Sequence, residues 1–175
     1  HGAEAVKHAV ACGIDCIEHG FLMDDEAIQM LVDNDRFLVT TRRLAEAMDV
    51  SRAPKELQDK AAEMFPKART SIKAAYEAGV KIAVGTDAPA IPHGKNADEL
   101  VTLVDWGMPA AAVLRAATVV AADLINRSTT LGRLAEGYIA DIIAVPGDPL
   151  TDITVTRDVN FVMKDGKVFK NELTN

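Results

Sequence analysis

With 175 residues, 49% of them apolar, the chain can bury a real core and is too apolar to be disordered. Its net charge of −7 comes without a clustered basic stripe, which argues against nucleic acid and against anionic membrane surfaces as partners. No apolar run reaches the length of a membrane span and no signal peptide is recognisable. Cys12 and Cys16, the two cysteines, read as reduced, packed thiols of a cytoplasmic protein rather than as a disulfide.

In chain order, residues 3–11 read as a helix with Ala5, Val6, Ala9 and Val10 on one face and Gly13 as its stop. A short strand over 14–18 follows. Asp24, Asp25 and Glu26 then cap a second helix, whose buried stripe is Ala27, Ile28, Leu31 and Val32. Residues 36–41, rich in Phe, Val and Thr, form the next strand. The polar stretch 42–53 is a candidate active-site loop with a short helix. Pro54 opens a long helix to residue 78, with Gly79 as its stop and Pro66 as the point where it would kink or divide.

A strand ending at Asp87 comes next, then a loop over 88–96 and helices over 97–106 and 109–125. The tail changes character, with short strands over 140–145, 159–163 and 167–169. The last two flank Lys164-Asp165-Gly166, whose Asp-Gly favours a tight hairpin. Strands alternating with helices predict parallel βα units, here followed by an all-β tail. Three such strands cannot close a barrel of eight, and the first helix has no strand before it. The expectation is a piece of a longer protein.

Two strand ends carry the chemistry. Lys81-Ile82-Ala83-Val84-Gly85-Thr86-Asp87 runs from an apolar strand into a carboxylate, and Cys16-Ile17-Glu18-His19-Gly20 ends a strand in an imidazole. A strand-end Asp alone is often only a cap for the next helix. An imidazole and a carboxylate at the tips of two parallel strands, however, are the donor types of a divalent-metal site. His93, in the loop directly after Asp87, could bind substrate or organise that loop. Arg42 and Arg43 follow a strand and could hold a carboxylate by a bidentate contact, although paired arginines there are more often solvated surface. His8, Trp106 and Met108 read as structural. Ser51, Ser71 and Ser128 lack a nucleophile elbow, and there is no phosphate-binding or dinucleotide loop.

Four phrases together resemble the amidohydrolase superfamily: Cys16-Ile17-Glu18-His19-Gly20, Val84-Gly85-Thr86-Asp87, the run from Pro92-His93-Gly94 to Leu100, and the run from Leu131-Gly132 to Ala140-Asp141. Within it the chain is most similar to metal-dependent Xaa-Pro dipeptidases (prolidase-like) and imidazolonepropionase-related enzymes, over essentially its whole length. The resemblance implies an α/β fold: the C-terminal part of a (β/α)8 TIM barrel, strands five/six to eight, over 1–130, and part of an accessory β-sandwich over 131–175. His19 matches the strand-six metal ligand. Asp87 matches the strand-eight ligand, which also serves as the catalytic base. His1 falls beside the strand-five ligand as a mouth-lining neighbour that touches substrate. The strand-one His pair and the strand-four Lys have no counterpart in this chain.

The implied cofactor is a divalent metal, zinc first. The implied reaction is hydrolysis of an amide (peptide) bond in a small substrate such as a dipeptide, by metal-activated water, with His1, His93 and Arg42 as substrate contacts. Two alternatives stay open: a deaminase or cyclic-amide hydrolase of the same superfamily, and a noncatalytic fragment that binds its missing half or itself. The second is motivated by two ligands where three are usual and by open parallel-sheet edges. Partners are expected to be the small-molecule or dipeptide substrate, with a homo-oligomer or association with the missing barrel half.

Overall fold

The computed structural model describes residues 1–41, 51 and 53–173. The order is α1 (Ala3–Ala11), β1 (Cys16–Glu18), α2 (Asp25–Asp33), β2 (Phe37–Thr40), α3 (Lys55–Glu77), β3 (Lys81–Val84) and α4 (Ala97–Asp105). Helix α5 (Ala110–Arg115) then runs through a π-helical turn (Ala116–Val120) into α6 (Ala121–Leu124). The tail holds β4 (Ile142–Ala144), a 3-10 helix (Ile153–Arg157), β5 (Phe161–Lys164) and β6 (Lys167–Asn171). Strands β1, β2 and β3 form a parallel sheet in that order, with Ile17 opposite Leu38 and Leu38 opposite Ile82. Strands β4, β5 and β6 form a separate antiparallel sheet.

Local chemistry explains where the elements begin and end. Asp24 caps α2 by accepting from the Ala27 amide at 2.8 Å. Helices α1, α2, α3, α4 and α6 all finish on a left-handed residue: Gly13, Asp35, Gly79, Gly107 and Asn126. In each, that residue donates three positions back and its successor five positions back, which satisfies two end carbonyls. The successors of the first three are Ile14, Arg36 and Val80. Their amides are spent on the helix, so Ile14 and Arg36 cannot start the strands predicted to include them. Those strands are correspondingly shorter. Pro66 does not divide α3, because Ala62, the residue whose carbonyl loses its partner, lies on the exposed side of the helix.

One continuous core joins α1, α2 and α3 to the parallel sheet, through Val10, Leu31, Leu38, Ile72 and Ile82. Trp106 and Met108 belong to it, as expected. His8 does not: it is exposed, because it sits about 200° round the helix from Val6. The tail is tied down by specific contacts. Asp141 accepts from the Asp165 amide at 2.8 Å and pairs with Lys164, across the β5–β6 turn. Asp165 and Gly166 both have positive φ (50° and 73°), as a tight hairpin turn requires. Gly132 lies against the π turn, where a Cβ would stand 2.7 Å from the Thr118 carbonyl oxygen. Arg157 of the 3-10 helix pairs with Asp98 of α4 at 2.6 Å, linking tail to helix layer. No helix among the described residues is long and apolar enough to cross a membrane.

Candidate metal centre at the strand ends

The carboxyl ends of β1, β2 and β3 lie side by side, and hydrogen bonding continues past the strands themselves. The His19 amide donates to the Val39 carbonyl at 2.9 Å, and the Gly85 amide donates to the Thr40 carbonyl at 2.9 Å. His19 is therefore pinned to β2 by its backbone. Its ring is pinned as well, with Nδ1 2.7 Å from Thr41 Oγ1. Thr41 is buried. Thr40, on the opposite face by strand alternation, keeps its hydroxyl buried without a partner among the described residues.

His19 (φ 70°) and Asp87 (φ 56°) both have left-handed backbones, a conformation that costs L residues energy. Among the described residues, the other non-glycine positions of this kind are Asp35 and Asn126, which terminate helices, and Asp165 in the hairpin turn. For those three the conformation follows from helix or hairpin geometry. His19 and Asp87 instead sit just past strand ends, where neither a helix end nor a hairpin turn imposes it. After His19 comes Gly20, also left-handed at φ 60°. A Cβ there would stand 2.7 Å from Leu38 Cδ1. The Ser71 hydroxyl holds the Gly20 carbonyl at 3.2 Å.

Gly85 has a different reason to be glycine. A Cβ there would lie 2.6 Å from Val39 Cγ1, 3.0 Å from the Thr40 oxygen and 3.7 Å from Thr41 Cγ2. It leaves room for the β2 side chains that face His19.

The ring of His1 lies 4.8 Å from that of His19 and 4.6 Å from that of Phe21. The His1 carbonyl accepts from the Leu22 amide at 3.0 Å. The structure thus brings His1, His19 and Thr41 together. Asp87 belongs to the strand on the far side of β2, roughly 10 Å away between backbones at ordinary strand spacing. Its carboxylate is exposed, and its carbonyl accepts from the Ala90 amide at 2.8 Å, which turns the chain sharply. His93 is exposed in the following loop. Arg42 and Arg43 lie outside the described residues, as does nearly all of the loop expected over 42–53.

An imidazole nitrogen and a carboxylate oxygen suit a divalent cation of the zinc type. Among the described residues no group of three His, Cys, Asp or Glu side chains is placed to hold a metal. His19 and Asp87 are thus two candidate donors and not a complete set. Cys16 does not extend it: burial first, and then its contact with the Glu18 carboxylate at 3.0 Å, push its thiol up to about 12, far from the thiolate a metal needs. A cavity of about 560 Å³ lies between α2 and α3 against Met23, Ile28, Pro66 and Ser71. None of His1, His19, Thr41 or Asp87 lines it, so it plays no part in this site. Thr41 and Gly85 are the two site residues not foreseen from sequence; the paired threonines closing the β2 run were the available signal.

The family model described as the amidohydrolase family matches residues 1–169. Ochratoxinase from Aspergillus niger is 34% identical, with the match covering 97% of this chain and 37% of that protein. A solved Xaa-Pro dipeptidase with methionine bound in its active site is 40% identical with a TM-score of 0.91, over 98% of this chain and 43% of that one. A prolidase solved with N-methylphosphonate-L-proline is 32% identical with a TM-score of 0.89, over 98% of this chain and 44% of that one. The chain spans less than half the length of these relatives. With a match that runs through His19, Thr41, Gly85 and Asp87, the chain belongs to the amidohydrolase family.

Proposed function

We propose that these residues form the C-terminal side of a metal-dependent amidohydrolase that cleaves an amide bond in a small substrate such as a dipeptide. On this reading β1, β2 and β3 are strands six, seven and eight of a (β/α)8 barrel within residues 1–130, and residues 131–175 contribute to an accessory β-sandwich. The observation that carries the proposal is the pair of left-handed strand-end residues, His19 and Asp87, flanking β2, with the His19 ring anchored to Thr41. Relatives named as an Xaa-Pro dipeptidase and a prolidase support a dipeptide substrate.

His19 and Asp87 would hold the divalent metal, zinc first, with the remaining donors supplied from outside these residues. When bound, such a cation lowers the pKa of a water and polarises a carbonyl. The Asp87 carboxylate takes the proton of the attacking water and passes it to the leaving amine. As a metal ligand, His19 would offer the lone pair of one ring nitrogen. His1, its ring beside that of His19, lines the mouth, and His93 and Arg42 contact substrate from the loops after β3 and β2. For residues 1–175 by themselves, the lack of a third donor among the described residues favours a chain that must meet the rest of the barrel before it binds metal.

The test uses a polypeptide of the relatives' length containing this segment, assayed for metal content and for hydrolysis of Xaa-Pro dipeptides, other dipeptides and N-acyl amino acids. Asp87→Asn should lower kcat by about 10²–10⁴-fold, and His19→Ala should lower the metal stoichiometry. Full activity in Asp87→Asn, or unchanged metal content in His19→Ala, refutes the assignment.

A further inference from the structure

We infer that Thr41 is the positioning residue of His19, selecting Nε2 as the ligating nitrogen by accepting a hydrogen bond from Nδ1–H. The inference rests on the proposed metal role of His19. A neutral imidazole offers one lone-pair nitrogen, and the other nitrogen carries the proton. With Nδ1 2.7 Å from Thr41 Oγ1, that nitrogen is committed to the hydroxyl, and coordination falls to Nε2. Ligating histidines hold their tautomer and ring plane through such a partner.

Four features of the fold show that the contact is built. Thr41 is 3% exposed, so water does not compete freely for its hydroxyl. The His19 amide bonds to the Val39 carbonyl, two residues before Thr41; backbone and ring of His19 are thus both held by β2. On the other side, Gly85 leaves its Cβ position empty, 3.7 Å from the Thr41 methyl and 2.6 Å from Val39. The His1 and Phe21 rings flank the imidazole, restricting rotation out of the plane that Thr41 selects. Nothing in the Thr40-Thr41 dipeptide alone shows which hydroxyl has this task. The neighbouring Thr40 hydroxyl has no partner among the described residues.

The experiment has two arms. In the first, imidazole 15N–1H correlation spectra are recorded on a metal-free polypeptide of the relatives' length, for wild type, Thr41→Val and Thr41→Ser. The wild type and Thr41→Ser should show the His19 proton on Nδ1 with slowed solvent exchange, and Thr41→Val should lose that signature. In the second, zinc affinity is measured by chelator competition on a polypeptide of the relatives' length. Thr41→Val should weaken binding about 10–100-fold, with Thr41→Ser close to wild type. A His19 proton on Nε2 in the wild type, or a Thr41→Val spectrum identical to wild type, overturns the role of Thr41. The expected spectra in a wild type that binds no zinc would instead overturn the metal reading and leave the Thr41–His19 contact standing.

Discussion

Replacing Gly85 with alanine tests the idea that close approach, not backbone freedom, makes this residue glycine. The new Cβ would stand 2.6 Å from Val39 Cγ1 and 3.0 Å from the Thr40 carbonyl oxygen. Carbon–carbon contacts are comfortable at about 3.5–4.0 Å, so about 1 Å of overlap must be relieved. Val39 has little freedom to give way, being β-branched and 8% exposed. The Thr40 oxygen is backbone, held by the Gly85 amide itself at 2.9 Å. The expected loss is that of an overpacked site, about 1–3 kcal/mol.

Urea unfolding followed by the fluorescence of Trp106, the single tryptophan, would measure it. Val39→Ala alone should cost about 1.5–2 kcal/mol for two buried carbons. In the double variant the methyl that collides is gone, so the two losses should fall short of additivity by about 1 kcal/mol or more. Additive losses would show that Val39 is not the obstacle, and the account of Gly85 would fail.

Two further predictions concern charge. Asp24 lies below the ordinary carboxylate range, first because it accepts from the Ala27 amide and then because it pairs with Lys7 at 2.9 Å. A depressed carboxyl contributes stability that is present above its unfolded value, near pH ~4, and lost as pH falls through the folded value. Asp24→Asn keeps an acceptor at the cap but not the charge. Its urea midpoint should therefore fall less than that of wild type between pH 5 and pH 2, and parallel acid limbs would refute the linkage. The second prediction separates the cysteines. Iodoacetamide at pH 8 should modify the exposed Cys12 and spare Cys16, whose thiol is pushed up to about 12 by burial and by Glu18. Mass spectrometry showing both alkylated at equal rates in the native state would contradict it.

The elements that rest on neighbours in sequence were legible in advance. Gly13 and Gly79 end their helices through bonds three and five residues long, and Asp24 caps through a bond of three. His19 and Asp87 stood out because an apolar run ending in one polar side chain is a local pattern. The Asp165-Gly166 turn is equally local.

What could not be read needed a second segment beside the first. Thr41 acquires its meaning only when β2 lies against β1, bringing its hydroxyl to a ring 22 positions away. Gly85 looks like an ordinary turn residue until β3 pairs with β2 and Val39 occupies the space its side chain would need. Asp98 and Arg157, 59 positions apart, pair only once the tail docks on α4, and the π turn at Ala116–Val120 is matched to Gly132 of a later loop. The amino-acid order by itself determined the helix ends, the hairpin and the chemical types of the candidate ligands, because those depend on bonds within a few residues. The orientation of His19 and the space around it were decided by the tertiary structure, because steric fit and hydrogen bonding between strands exist only after the strands have met.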